Sequence, residues 1–231
     1  LSALAMNIFL PSLPSMAVYF DTSYEVIQLA IALFLYVNAA AQIIIGPLSD
    51  RYGRRPIILW GIALFGIATL GCIFAPTAQI FLIFRMAQAT IVVGLALSRA
   101  VIRDMVPQDE AASMIGYVTM GMSLVPMLAP GVGGYLSELF GWQINFWLML
   151  AMAVALWILT YVNLGETAAL SNTSLRAQIK QYPELFGSPR FWGYALVAMF
   201  TSGTFFAYLG GAPIVADRVY GLSQTALGLY F

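Results

Sequence analysis

The chain of 231 residues is 61% hydrophobic and 9% charged, with ten basic residues, ten acidic residues and no histidine. A soluble domain is about a quarter charged, so this composition, with a mean hydropathy of +0.86, calls for lipid as the solvent. Zero net charge excludes a nucleic-acid face, which needs a basic surface. The absence of His and the single Cys, Cys72, exclude disulfides, zinc sites and Cys-His chemistry. Cys72 lies inside an apolar run and reads as a small packing residue.

A helix needs about 20 apolar residues to cross about 30 Å of hydrocarbon. By that measure the chain holds seven spans, at 2–20, 25–47, 56–75, 79–102, 112–136, 142–164 and 191–215, and the start of an eighth from 223. Their length, and the need to satisfy backbone groups within each segment, makes them helices. The fold class expected is therefore an all-α polytopic membrane protein. The chain opens at Leu1 without a basic leader, so span 1 is not read as a signal peptide. Both ends read as those of a piece of a longer protein.

Orientation follows from Lys and Arg. Arg51, Arg54 and Arg55 follow span 2, Arg103 follows span 4, and Arg176, Lys180 and Arg190 follow span 6, whereas the other side carries only Arg218. The even-numbered spans are thus expected to end in the cytoplasm, with the N-terminus there too. Residues 165–190 read as a polar cytoplasmic linker, partly an amphipathic helix along the interface. It separates a six-helix bundle, 1–164, from the start of a second bundle, 191–231. No repeat is visible, so a 3+3 inverted repeat would be structural only.

Four stretches stand out. Residues 46–59 crowd Asp50, Arg51, Gly53, Arg54 and Arg55 between two apolar runs. Gly46 is expected to allow close helix contact and Gly53 a tight reversal. Membrane anchoring explains the arginines but neither Asp50 nor the glycines. In the second stretch, Arg85 is the only charge well inside a span, at a cost of about 2.5–3.5 kcal/mol or more, so it should face a polar cavity or a partner. The competing reading is snorkelling to the nearby interface; Gln88, one turn on, favours the cavity. Span 5 carries Gly116, Gly121, Pro126, Pro130, Gly133 and Gly134. Proline removes an N–H and bends a helix, and glycine admits a close neighbour, so this span is expected to act as a hinge. In span 7, Thr204 and Tyr208 lie one turn apart among aromatics, which suits a cavity for greasy amphiphiles.

The pattern Gly46-x-Leu48-x-Asp50-Arg51-x-Gly53-Arg54-Arg55 resembles the loop signature between helices 2 and 3 of the major facilitator superfamily. Phe84-Arg85-Met86-Ala87-Gln88 resembles the family's helix-4 motif, whose Arg is linked to proton coupling, with Ala89 where Gly is usual. Ala129-Pro130-Gly131-Val132-Gly133-Gly134 resembles its antiporter motif, with Ala129 replacing the first Gly. Leu10-Pro11-Ser12-Leu13-Pro14 resembles helix 1 of the Bcr/CflA-like group of twelve-helix drug:proton antiporters.

That resemblance implies a bacterial inner-membrane exporter of small amphiphiles, monomeric, without cofactor or metal, driven by the proton gradient. It implies a latch at Gly46, Asp50, Arg51, Gly53, Arg54 and Arg55, with Arg103 and Asp104 as partners, that closes the cytoplasmic side in the outward-open state. It implies a cavity between helices 1, 4 and 7, with Asn7, Arg85, Gln88, Thr204 and Tyr208 as lining candidates. The helix-5 motif, with Gly121, Pro126, Pro130, Gly133 and Gly134, implies antiport rather than uptake. Asn7 stands where an acid is common and cannot carry a proton, which leaves Asp21, Glu25, Asp217 or a residue outside this chain as carriers. An importer of a small metabolite is the alternative on the same fold. An intramembrane enzyme or receptor is remote, since no base or nucleophile lies at depth.

Overall fold

The computed structural model describes residues 1–168, 183 and 186–229. Seven helical segments in them are long and apolar enough to cross a membrane. They follow the expected order, with boundaries that differ in instructive ways.

Span 1 is three pieces rather than one rod: α1 (Ser2–Asn7), a 3-10 turn (Leu10–Ser12) and α2 (Leu13–Tyr19). Pro11 and Pro14 supply no N–H, so the regular ladder fails where they stand. Span 2 becomes α3 (Tyr24–Tyr52) and span 3 becomes α4 (Arg54–Ile73). Between them lies a single residue, Gly53, at φ +98°, a conformation closed to most L-residues. The expected loop at 46–59 is therefore a helix end, one glycine and a helix start. The expectation for Gly46 fails: a Cβ placed there would meet nothing within 4 Å.

Span 4 is α5 (Ala78–Ala87), a 3-10 turn (Gln88–Ile91) and α6 (Val92–Met105). Span 5 is α7 (Gln108–Phe140), continuous through Pro126 and Pro130 and longer than expected. Spans 6 and 7 are α8 (Gln143–Asn163) and α9 (Pro189–Tyr220), and the eighth begins as α10 (Gln224–Leu229). Most of the 165–190 linker, including its expected amphipathic helix, lies outside the described residues.

The arginine-rich turn near Gly53 marks one end of the bundle, called here the basic end. At the far end Phe20, Phe81, Trp142 and Phe146 interlock, with ring centroids 5.4–5.9 Å apart. Phe9 extends the cluster toward mid-membrane, 6.0 Å from Phe146. These edge-on and tilted contacts, beyond simple area burial, join spans 1, 4 and 6 into one core. Cys72 lies fully buried in the same core, as a packing residue.

Candidate functional site

Arg85 is the centre of the buried polar structure. It is 1% exposed, so it does not snorkel to the interface. Its Nη2 donates to the Ala5 carbonyl at 2.7 Å, Nη1 to Gln88 Oε1 at 2.6 Å, and Nε to the Ala30 carbonyl at 3.4 Å. Gln88 passes the chain on, donating to Thr69 Oγ1 at 2.7 Å. Thr69 in turn donates to the Phe65 carbonyl. Four spans are thus tied through one guanidinium. The broken helix 1 makes this possible. Ala5 sits in the last turn of α1, where carbonyls have no onward partner within the helix.

Two rings complete the site: the guanidinium carbon lies 4.4 Å from the Phe9 centroid and 4.2 Å from that of Phe34. Desolvated cation–π contacts contribute about 2 kcal/mol or more each. Among the described residues no carboxylate pairs with Arg85. Backbone dipoles and π faces stabilise its charge instead. The space beside it, lined by Met6, Leu10, Ile31, Phe206 and Leu209 as well, is only about 10 Å³.

Asn7 is also buried, at 3% exposure. Its Nδ2 donates to the Ala3 carbonyl at 2.7 Å, while Oδ1 has no partner. Thr204 and Tyr208 do not join this group. Thr204 is exposed and donates to the Phe200 carbonyl of its own helix. Tyr208 lines a separate cavity of about 650 Å³ between α9 and α10, with Ala207, Gly211, Ala212 and Leu227. The lining candidates therefore fall into two places: Asn7, Arg85 and Gln88 in the bundle interior, and Thr204 and Tyr208 on α9, Tyr208 at the cavity beside α10.

At the basic end the charges form a compact network. Asp50 and Arg54 are 2.5 Å apart across Gly53, and Arg54 Nε is 3.3 Å from Asp104 Oδ2. Arg54 also donates to Ser49 Oγ. Arg55 donates to the Tyr161 carbonyl at 2.8 Å and lies over the Tyr161 ring. Arg103 does not take part as expected. Its Nε donates back to the Arg99 carbonyl, one turn earlier on α6, while Asp104 faces Arg54. Arg51 lies over the neighbouring Tyr52 ring.

Sequence reasoning missed Glu166. Its carboxylate accepts from the Arg54 N–H at 2.8 Å and the Arg55 N–H at 3.3 Å, which are the first, otherwise orphaned amides of α4. A Cβ on Gly53 would strike this carboxylate. Burial pushes the Glu166 pKa up, but the amides of Ala168, Arg54, Arg55 and Thr167 outweigh it and hold the carboxyl below its usual value. The sequence offered a faint sign: an acid just past an apolar span, beside a helix start rich in arginine.

Span 5 divides its glycines. Gly133 is pressed against the Ile8 carbonyl and Gly134 against the Gln224 carbonyl; a Cβ on either would collide with backbone. Gly116 and Gly121 face open space, so the close-packing reason for Gly121 does not hold. Pro126 and Pro130 lie inside the unbroken helix. A second buried polar group, also missed, joins spans 1, 5 and 6: Ser12 donates to Ser137 at 2.9 Å, and Asn145 donates to Ser12 Oγ and the Gly133 carbonyl, each at 3.2 Å.

The family model described as Major Facilitator Superfamily matches residues 1–231. The chain is 31% identical over 237 residues to the uncharacterized MFS-type transporter YdgK of Bacillus subtilis, covering all of this chain and 59% of that protein. It is 28% identical to a bicyclomycin resistance protein homolog of Haemophilus influenzae, covering 98% of this chain and 58% of the relative. It is 29% identical to a chloramphenicol resistance protein of Pseudomonas aeruginosa, covering all of this chain and 55% of that one. The chain thus spans less than two thirds of the length of these relatives. Among solved structures, a bacterial homolog of the human lysosomal transporter Spinster superposes with a TM-score of 0.76 at 19% identity, over 99% of this chain and 56% of the other.

Proposed function

The chain belongs to the major facilitator superfamily, and on that premise we propose that it forms the first bundle and part of the second in a proton-driven exporter of small amphiphiles. The likeness to a bicyclomycin resistance protein homolog and to a chloramphenicol resistance protein supports the drug-export direction. The fold and the relatives are those of multi-pass membrane transporters, not enzymes. Arg excess at one end of the bundle supports placing that end, and the N-terminus, in the cytoplasm of a bacterial inner membrane.

The observation that carries the reading is a far-end tie between α3 and α9, made by two side chains on one carbonyl. Tyr24 and Gln28 at the far end both donate to the Gly210 carbonyl at 3.0 Å. A tie of so few bonds can part as one bundle rocks against the other, which is alternating access. In this reading substrate enters from the basic side between spans 1, 4 and 7, and Arg85 organises the walls. Proton entry would drive export. The carrier is proposed to lie at a membrane edge or outside this chain, because Asn7 does not titrate.

The test is drug accumulation in cells that express the full-length protein, with cationic and neutral compounds, with and without an uncoupler. Reduced accumulation that the uncoupler reverses is expected. Accumulation that expression leaves unchanged, indifferent to the uncoupler, would sink drug efflux; uptake driven by an inward proton gradient in vesicles would overturn antiport.

A further inference from the structure

We propose that Glu138 and Thr225 form a clasp that holds the far end of the transporter shut, and that its release opens the substrate path on that side. The proposal rests on the transporter reading above. Glu138 lies in the last turn of α7, in the first bundle, and Thr225 in the first turn of α10, in the second. Glu138 Oε1 accepts the Thr225 N–H at 2.9 Å and Oε2 accepts the Thr225 hydroxyl at 2.5 Å. One side chain thus takes both donors of one residue. The amide is one of those a helix start leaves without an internal partner, and hydrogen bonds to a carboxylate are roughly twice as strong as neutral ones.

The seam below the clasp explains why it matters. Gly134 of α7 meets the Gln224 carbonyl, and Gly228 of α10 meets the Pro130 carbonyl. Each helix offers a glycine where the other presents backbone, so the two surfaces are smooth and close. Close glycine packing of this kind gains van der Waals contact but supplies no directional bond between side chains. Among the described residues, the directional contact between α7 and the start of α10 centres on Glu138, which takes Thr225 most closely and also faces Ser223 and the Gln224 amide. The other far-end tie, from Tyr24 and Gln28 to Gly210, joins α3 to α9 through a backbone carbonyl. Opening the far end requires the Glu138 bonds to break, so their strength biases the equilibrium between the closed and open forms.

Leu227 is the reporter, being 4% exposed within this seam. In the full-length protein carrying Leu227→Cys, the rate of labelling by a membrane-impermeant maleimide is measured in right-side-out and inside-out vesicles separately. With the clasp intact, labelling from the far side is slow. Glu138→Ala is expected to accelerate it about tenfold, the effect of losing a charge-assisted pair. Thr225→Val keeps the amide and loses the hydroxyl, so about a threefold acceleration is expected. If the alanine variant fails to accumulate, Glu138→Gln, which preserves shape and removes charge, is read in its place, with an acceleration between those two expected. Labelling rates equal to the parent in the variants that accumulate would overturn the clasp. Labelling needs no transport. Faster labelling in a protein that exports no drug therefore sinks the export reading alone, and unchanged labelling in an active exporter sinks the clasp alone.

Discussion

At the basic end, Asp50, Arg54, Asp104, Arg55 and Glu166 all belong to the first six spans and their immediate exit, and their contacts run among α3, α4, α6 and the end of α8. At the far end, Tyr24, Gln28 and Glu138 reach from the first bundle to α9 and α10. Among the described residues, the contacts at the first end are charged and stay within one bundle, whereas those at the second reach α9 and α10 and use one carboxylate, Glu138. Charge density therefore does not locate the interbundle contact. Among the described residues, the arginine cluster braces the first bundle, and the glycine-lined end carries the contacts to α9 and α10.

Five substitutions would break or sharpen this contrast. The largest effect is expected from Gly133→Leu, because the new side chain meets the Ile8 backbone rather than a yielding side chain. Loss of folded protein from the membrane, or at least a tenfold loss of efflux, should follow; normal levels and normal efflux would show that α7 need not seat against the Ile8 backbone. Arg85→Lys comes next, between the two ends. Lysine keeps the charge but loses the planar fork that reaches Ala5, Gln88 and Ala30 and stacks on Phe9 and Phe34. About a tenfold drop in efflux is expected, and wild-type efflux would mean that charge alone suffices there.

Asp50→Asn should lower transport by about tenfold while membrane insertion, read by surface labelling, stays normal; full transport would reduce the cluster to a topology signal. Glu166→Ala removes a helix cap, a change of about 1 kcal/mol, or roughly 2–4 °C in thermal unfolding at this size. Its pH dependence has a definite sign. The folded-state pKa is held below the usual glutamate value of about 4.3, so the contribution is full above that pH and fades as pH falls through the folded value. The wild-type advantage in unfolding temperature should be flat from pH 5 to 7 and shrink in stronger acid; a constant difference down to pH 2 would contradict the capping role. Arg103→Ala should do least, with efflux and unfolding temperature within error of wild type, because its contact stays within its own helix turn.

Spans, their order and the motif positions were legible because lipid imposes length and apolarity on every crossing segment. The latch residues were legible in part: Asp50, Arg54 and Asp104 do meet, but which of Arg103 and Asp104 faces Arg54 depends on where one residue falls around α6. Glu166, Glu138 and the Ser12–Ser137–Asn145 group were not legible. Each depends on residues more than 80 positions apart, or on the rotation of one helix against another, neither of which leaves a local pattern. The cavity candidates split for a related reason. A span's periodicity gives its faces but not its neighbours, so Thr204 and Tyr208 could not be separated from Arg85 without the packing of α9.

The break in helix 1 also has a genetic consequence. Arg85 leans on the carbonyls of Ala5 and Ala30, and Tyr24 and Gln28 lean on that of Gly210. No codon change deletes a main-chain oxygen. Mutational selection at these contacts therefore acts on one partner only: the arginine, tyrosine and glutamine can be lost, while their acceptors persist under any side chain that fits. A saturation scan of span 1 should accordingly find Ala5 sensitive to bulk and indifferent to polarity, although it supplies the shortest of the backbone contacts to the buried cation.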